Sequence, residues 1–314
     1  MKTLFKSFAV LLIINIFYSC NNDDDDTTIE TNTIVDVAVN NELTSLVAAV
    51  TKADLAATLS GTGPFTVLAP TNAAFDEFLS ANNFSSLDDV PNDLLTQILL
   101  NHVVDGNLQS TDLLTGYANT KATSDASGKP MSIHINTNEG VKFNGISSVA
   151  IPNVTADNGT VHVVDKVIDL PTIVTFAIAD PNFSILVQAL TREDSYTYVN
   201  TLSASTTPAP FTVFAPIDNA FANLLADLSL NALEDIPTAV LTSTLNTHVV
   251  VEANVLDTDL TDNMSISTLG GSLTGNITGG ATLTDSQARV SNIIATNVQA
   301  NNGVIHAIDK VLLE

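Results

Sequence analysis

Cysteine, tryptophan and basic residues are scarce in this chain. Its 314 residues include one cysteine, Cys20, and no tryptophan, and ten Lys and Arg stand against thirty-four Asp and Glu. A single cysteine excludes an internal disulfide, so each folded domain must be stable through packing alone. The formal net charge of −24 repels phosphate backbones, which excludes nucleic acid as a partner and favours a well-solvated surface.

Apolar residues, in contrast, are plentiful. Hydrophobic residues make up 45% of the chain and charged residues 14%, which excludes a disordered polymer. At roughly 100–200 residues per domain, the length predicts about two domains. Lys2 and Lys6 open an apolar stretch that ends near residue 19 and gives way to a polar tract. This stretch is too short for a membrane span, and we interpret residues 1–19 as an export signal.

The residues around Cys20 indicate how the exported chain is held. Ser19 precedes Cys20, an arrangement that resembles a bacterial lipoprotein signal, in which the cysteine becomes the lipidated first residue. Phe17 and Tyr18 depart from the usual pattern. The acidic run Asp23–Asp26 that follows resembles the surface-export signal of Bacteroidetes-type lipoproteins. We therefore expect a flexible tether over residues 20–33 and an outer-membrane lipoprotein that faces outward.

The segment Pro64–Phe75 occurs a second time as Pro210–Phe221, with eight of twelve residues identical. Each copy begins with a short strand-forming run, and the proline near its middle ends the strand. A helix should follow. Because the residue after that proline is Thr in one copy and Ile in the other, the predicted helix N-cap is the next position. The conserved positions of the two copies are Pro70 and Pro216 at the strand end, Asn72 and Asp218 at the cap, and Phe75 and Phe221 in the first helical turn.

Three further patterns also occur twice. Apolar residues at helical spacing, beginning at Leu43 and Phe183, predict an amphipathic helix early in each half. Residues 110–149 and 265–290 alternate short apolar runs with turn residues, which predicts antiparallel hairpins. Each half closes with a hairpin whose Asn-Gly turn should supply positive φ angles. Paired positions are His102 and His248 where a helix runs into a strand, His162 and His306 in the last strand, and Asp165 and Asp309 at its end.

Taken in this order, the motifs resemble the fasciclin-type domain, repeated over residues 34–170 and 171–314. The resemblance implies an α+β fold, in which a wedge of mainly antiparallel β-strands packs with several α-helices in each tandem domain. It also implies adhesion at the cell surface or in the extracellular matrix, without catalysis or cofactors. In animal members a Tyr-His pair before the mid-domain strand is tied to integrin binding. Here Asn101 and Thr247 replace that tyrosine beside His102 and His248, so integrin-type recognition is not expected.

The histidines allow a structural and a metal-binding interpretation. Four of the five occupy equivalent places in apolar β-rich runs, which favours hydrogen-bonded structural imidazoles. A zinc site would need three or four converging ligands, and neither a His-x-x-x-His motif nor a cysteine pair is present. His134 has no counterpart in the second half. We therefore predict no metal, no cofactor and no enzymatic site.

The sequence is compatible with either a protein or a glycan as the partner at the cell surface. Sugar rings usually stack on Trp or Tyr, and tryptophan is absent. Tyr196 and Tyr198 lie in Thr191–Ala209, where the second half gains about six residues that we predict to form a loop. Candidate contact residues are this tyrosine pair and the mid-domain positions Asn101, His102, Thr247 and His248.

Overall fold

A computed structural model describes residues 32–314, which form one compact unit. The predicted export signal and Cys20 lie outside the described residues. Asn32 and Thr33, predicted to end the tether, belong instead to the first domain. The Asn32 backbone N–H donates to Asp157 (2.7 Å), and Thr33 caps the first helix through a reciprocal bond with Asp36. The folded domain thus begins two residues before the predicted start.

The first domain alternates short helices with a set of seven strands. Strands β1 to β7 close into a barrel in chain order. The elements are α1 Ile34–Asn40, α2 Thr44–Lys52, α3 Ala56–Leu59, β1 Phe65–Pro70, α4 Asn72–Ala81, α5 Asn92–Asn101, β2 Val103–Asp105, β3 Gly116–Thr123, β4 Pro130–Asn136, β5 Lys142–Phe143, β6 Ser147–Ala156 and β7 Gly159–Val164.

The second domain repeats this order. Its seven strands form a sheet in the order β10-β11-β12-β13-β14-β8-β9. The elements are α6 Ile173–Ala179, α7 Ser184–Leu190, α8 Tyr198–Leu202, β8 Phe211–Pro216, α9 Asp218–Asp227, α10 Thr238–Thr247, β9 Val249–Val250, β10 Met264–Thr268, β11 Gly271–Asn276, β12 Thr282–Thr284, β13 Val290–Ala300 and β14 Gly303–Ile308. The predicted tandem α+β architecture, with mainly antiparallel strands, is confirmed.

One pairing in each domain is parallel, which sequence patterns did not predict. β1 runs beside β7 with Phe65 opposite Gly159, and β8 runs beside β14 with Phe211 opposite Gly303. These strands are buried almost throughout. Such burial explains why they read as continuous apolar runs rather than as alternating ones.

The helices pack one apolar face on these central strands. Phe75 and Phe221 are 2% and 1% exposed and sit in the two main cores, as predicted for the first turn after each strand. Pro70 and Pro216 are the last residues of β1 and β8, also as predicted. Leu46 and Val50 turn the buried face of α2 into the same core as Phe75.

The predicted caps of α4 and α9 are wrong. In α4 the cap is Thr71, whose hydroxyl accepts from the Ala74 N–H (3.2 Å), and in α9 the cap position is Ile217, which makes no side-chain bond. Asn72 instead accepts from the Ser45 N–H (2.9 Å) at the start of α2. Asp218 likewise accepts from the N–H of Ile185 (2.8 Å) in α7. The two side chains therefore cap a neighbouring helix across the fold.

Removing this cross-fold cap should loosen α2 rather than α4. We expect Asn72→Ala to cost about 1 kcal/mol, the usual value of an N-cap, because the Ser45 N–H loses its acceptor. Amide exchange at Ser45, read by NMR, should accelerate. Thr71→Ala is the matched control and should accelerate exchange at Ala74 instead. Faster exchange confined to α4 in the Asn72 variant would contradict the assignment.

The predicted Asn-Gly turns have a different geometry from the one expected. In the first domain Ala156 pairs with Gly159, so Asp157 and Asn158 form the turn and Gly159 starts β7. Asn158 does not have a positive φ angle. Its side chain accepts from the Ile34 N–H (2.9 Å) and donates to the carbonyl of Leu59 (2.8 Å). The asparagine thus ties the closing hairpin to α1 and α3, and Asn302 does the same in the second domain.

The two domains abut through a buried polar contact. Gln299 is 2% exposed; its N–H donates to Ser132 Oγ (3.0 Å) and its Nε2 donates to Ser124 Oγ (3.1 Å). Ser124 Oγ in turn donates to the carbonyl of Ala300 (2.7 Å). Hydrogen bonds between buried groups are costly to break singly. The β3-β4 hairpin of the first domain is thereby fastened to the β13-β14 hairpin of the second.

Within residues 32–314, no single helix combines the length and apolar composition that a bilayer crossing requires. Ile173–Ala179 and Pro181–Leu190 meet these criteria only as a pair, with a bend of 97° between them.

Candidate functional site

His102 and His248 occupy identical buried positions at the end of α5 and α10. The Ile168 N–H donates to His102 Nε2 (2.9 Å), so the ring proton is on Nδ1, which donates to the carbonyl of Ile98 (2.7 Å). His248 makes the same two bonds, to Leu312 (3.0 Å) and Thr244 (2.7 Å). Burial lowers the pKa of both imidazoles to about 4. Each is a neutral link between a helix end and the segment that follows the last strand.

The residues preceding these histidines are also interior. Asn101 is 0% exposed and donates to the carbonyls of Ile168 (3.2 Å) and Asp169 (3.1 Å). Thr247 is 2% exposed and donates to the carbonyl of Ser243 (3.0 Å). The structure thus places Asn101, His102, Thr247 and His248, all predicted as contact residues, where they offer a partner no surface.

His162 and His306 are 0% exposed in β7 and β14. His162 Nε2 contacts the carbonyl of Leu108 (3.0 Å) and its Nδ1 accepts from the Asn153 N–H (3.3 Å). His306 Nε2 contacts the carbonyl of Val255 (2.9 Å). Burial lowers the pKa of both rings. Each ring therefore holds the chain that follows β2 or β9 against a central strand.

Truncating these rings should leave a buried carbonyl without its donor. We expect His162→Ala to lower the free energy of unfolding by about 1–3 kcal/mol, measured by urea denaturation. His162→Gln, whose amide can donate to the Leu108 carbonyl, should recover part of the loss. Equal stability of the alanine variant and the parent would show that this bond contributes nothing.

Asp165 and Asp309 accept hydrogen bonds from backbone groups of the sheet. Asp165 accepts from the Ser148 N–H (2.7 Å), and Asp309 accepts from the Asn292 N–H (2.8 Å). Both bonds join the end of the last strand to its neighbour. Lys166, which follows Asp165, forms an ion pair with Glu77.

Tyr196 and Tyr198 lie beside a surface hollow of about 310 Å³. Their rings meet edge to face with centroids 5.2 Å apart. Tyr196 Oη bonds Thr242 Oγ1 (3.0 Å), and Tyr198 Oη donates to Asn246 Oδ1 (2.8 Å). Burial raises the pKa of Tyr198. The hollow is also lined by hydroxyl-bearing Ser195, Thr197 and Thr201.

The segment around these tyrosines is more ordered than the predicted loop. It contains α8, which corresponds to α3, because Asn302 donates to the carbonyls of Leu202 and Ala204 as Asn158 does to those of Leu59 and Gly61. With this alignment, three of the six extra residues precede α8 and three follow it. The insertion therefore moves a helix rather than extending a free loop.

Sequence reasoning missed one group of side chains at the domain boundary. Tyr117 donates to Asp180 Oδ2 (2.9 Å), and its ring meets His134 and Phe176 at 5.0 and 5.5 Å. Burial lowers the pKa of His134, and Asp180 opposes that shift. The signal available in the sequence was the lack of a counterpart for His134 in the second half. Its role at the boundary between the domains accounts for that asymmetry.

The described part of the chain contains no group of three or more His, Cys, Asp or Glu side chains placed to hold a metal ion.

Two known proteins illustrate what this chain is similar to in sequence. The chain is 38% identical over 136 residues to the uncharacterized protein sll1735 of Synechocystis sp., a match covering 43% of this chain and 96% of that protein. It is 30% identical over 258 residues to transforming growth factor-beta-induced protein ig-h3 of Sus scrofa, covering 81% of this chain but 35% of that protein.

A solved structure shares the fold. It is the FAS1 domain pair from the insect cell adhesion molecule fasciclin I, which covers 89% of this chain and 95% of its own, with a TM-score of 0.51 and 20% identity. At that identity the likeness concerns the fold alone. The fasciclin domain profile matches residues 41–171 and 181–314. The chain therefore belongs to the fasciclin domain family, with two tandem domains.

Proposed function

We propose that this protein is a non-enzymatic adhesion or interaction module at the cell surface, held to the outer membrane by a lipid on Cys20. The main observation behind this proposal is that four of the histidines have structural roles. All four repeat-equivalent rings are buried and bonded to backbone groups of their own domain. Side chains that elsewhere perform acid–base or metal chemistry thus stabilise the two domains, whose outer surfaces are left for contact.

The net charge of the chain supports a position outside the cell, where the protein is exposed to water. A net charge of −24 keeps an exposed protein soluble and disfavours adsorption to anionic surfaces, so a separate anchor is needed for membrane attachment. A lipidated cysteine would supply it. A single acyl chain binds membranes only marginally, whereas two or more hold a protein stably.

The anchor is tested with Cys20→Ala in the full chain. We expect the variant to leave the membrane fraction and to lack the mass of the acyl groups in intact-protein mass spectrometry. Cys20→Ser serves as a second variant of nearly native size. Membrane retention with unchanged mass in either variant would overturn the lipoprotein proposal.

Adhesion is tested with cells of the source organism that lack or carry the gene. We expect loss of attachment to a surface or to neighbouring cells in the deletion strain and recovery with the full chain. Complementation with the Cys20→Ala chain should fail, because an unanchored module cannot hold a cell. Unchanged attachment in the deletion strain would contradict the adhesion proposal.

Glycan binding is the second candidate, favoured by the hollow beside Tyr196 and Tyr198. It combines two aromatic rings with hydroxyl and amide groups, as sugar sites often do. A glycan array with the purified chain decides between the candidates. Saturable binding to one polysaccharide class, lost in Tyr196→Ala and kept in Tyr196→Phe, would make glycan recognition the function. Absence of binding would leave a protein partner.

A further inference from the structure

The second domain contains an apolar cavity of about 150 Å³. It lies between α6, α7 and α8 on one side and strands β8, β9 and β14 with the end of α10 on the other. Its walls are almost entirely aliphatic. Buried wall residues include Leu186, Val213, Ala215, Leu245 and Ile305. Protein interiors rarely hold voids larger than a water molecule, so a cavity of this size is an unusual feature of the domain.

The polar residues at its wall have their polar atoms engaged elsewhere. Both ring nitrogens of His248 bond the backbone, and Thr191 Oγ1 donates to the carbonyl of Val187 (2.8 Å). A water molecule in a cavity needs two to four polar partners, and apolar cavities of this size stay dry. The wall therefore disfavours water and favours a hydrocarbon surface.

The cavity has an opening to solvent. Ile178 on α6 is 67% exposed, Thr191 is exposed at the end of α7, and Val187 and Val199 are half-buried. These residues come from the three helices that cover the cavity. A small molecule can thus enter between helices without disturbing the parallel strands beneath.

The first domain provides an internal comparison. Its equivalent space, bounded by Leu46, Val67 and Leu99, has a volume of only about 20 Å³. The residues are as apolar as those of the second domain, so side-chain chemistry does not account for the difference. The three extra residues ahead of α8 reposition that helix, and Val199 stands where α3 has Ala56. The larger space thus occurs in the domain that carries the insertion.

We infer that the second domain binds one small apolar molecule, a compact hydrocarbon of about the size of benzene, in the cavity beneath α6, α7 and α8. An apolar cavity of about 150 Å³ in another protein binds benzene, which sets the size of the ligand. The cavity shares Leu202 and Val249 of its wall with the tyrosine hollow, but neither tyrosine lines it. It adds a ligand-binding property to the proposed function and does not depend on it.

The test is a benzene titration of the full chain carrying ¹³C-labelled methyl groups. We expect saturable chemical-shift changes at Val213 and Leu245, and none at Val67 and Leu99. Ala177→Leu places three further carbons at the cavity wall and should weaken binding at least tenfold. The matched control is Ala222→Leu, on the exposed face of α9, which should bind as the parent does.

Thermal unfolding of the parent chain measures benzene binding without the Ala177→Leu variant. Benzene should raise the Tm of the parent in a concentration-dependent way, since a ligand that binds only the folded state stabilises it. Three results would each overturn the inference. They are equal chemical-shift changes in the methyl groups of both domains, a benzene titration that does not saturate, and unchanged benzene affinity in a correctly folded Ala177→Leu variant.

Discussion

Lowering the pH from 7.5 to 4.5 is expected to destabilise each domain by about 2–3 kcal/mol through its mid-domain histidine. The ordinary pKa of 6.5 falls to about 4 in His102 and His248. Between these values the unfolded chain binds a proton that the folded domain excludes. The stabilisation is therefore complete above pH 6.5 and is lost as the pH falls toward 4. Urea denaturation across this range measures it.

His102→Gln is the matched variant for this prediction. Glutamine can donate to the carbonyl of Ile98 and accept from the Ile168 N–H, but it does not titrate. The variant should be less stable at neutral pH, and its first domain should lose the part of its acid sensitivity that His102 contributes, while His162, His134 and the second domain keep theirs. Amide hydrogen exchange resolves the two domains. A first domain that remains as acid-sensitive as the parent would show that another group carries the effect.

Gly159→Ala is expected to lower the free energy of unfolding by about 4 kcal/mol or more, which is exceptional for one methyl group. A Cβ at this position would lie 1.9 Å from the carbonyl oxygen of Phe65 on the neighbouring parallel strand. Backbone atoms cannot move aside without separating β1 from β7. Gly303 faces the carbonyl of Phe211 at 2.2 Å in the same way, so Gly303→Ala should affect the second domain equally.

Gly116→Ala separates this clash from the cost of backbone conformation. Gly116 has a φ of +144°, close to the +155° of Gly159, but no atom lies within 4 Å of its would-be Cβ. We expect a loss of about 1–3 kcal/mol, the usual cost of such a backbone conformation for a residue with a side chain. Differential scanning calorimetry of both variants gives the comparison. If Gly116→Ala and Gly159→Ala lower the free energy of unfolding by similar amounts, the cost comes from the backbone φ angle and not from the close approach of β1 and β7.

The first prediction concerns the link between a helix end and the segment after the last strand, and the second concerns the central parallel strands; both bear on the proposed function. His102 and His248 bond each helix end to the segment after the last strand. Gly159 and Gly303 allow the last strand to pack closely on its parallel neighbour. Variants at these positions should reduce adhesion only as far as they unfold a domain. Variants at the tyrosine hollow or the apolar cavity should alter binding even in chains that remain folded.

Local patterns by themselves determined much of this protein. The duplicated Pro64–Phe75 segment identified two copies of one domain, because a strand ended by proline and followed by a helix is encoded within a few residues. The same holds for the amphipathic α2 and for the hairpin that closes each domain. Periodicity reports which residues of one element share a face, and these elements are short enough for that to suffice.

Tertiary structure decided what each polar side chain does. Asn72 sits at a good cap position for its own helix yet caps α2, 27 residues earlier. Asn158 bonds Ile34 across 124 residues, and Asn101 and Thr247 turned out to be interior. The space beneath the covering helices is about 150 Å³ in the second domain and about 20 Å³ in the first, although the lining residues of both domains are alike. The sequence determined the elements and their repetition, whereas partners distant in the chain, which no local pattern encodes, were determined by packing.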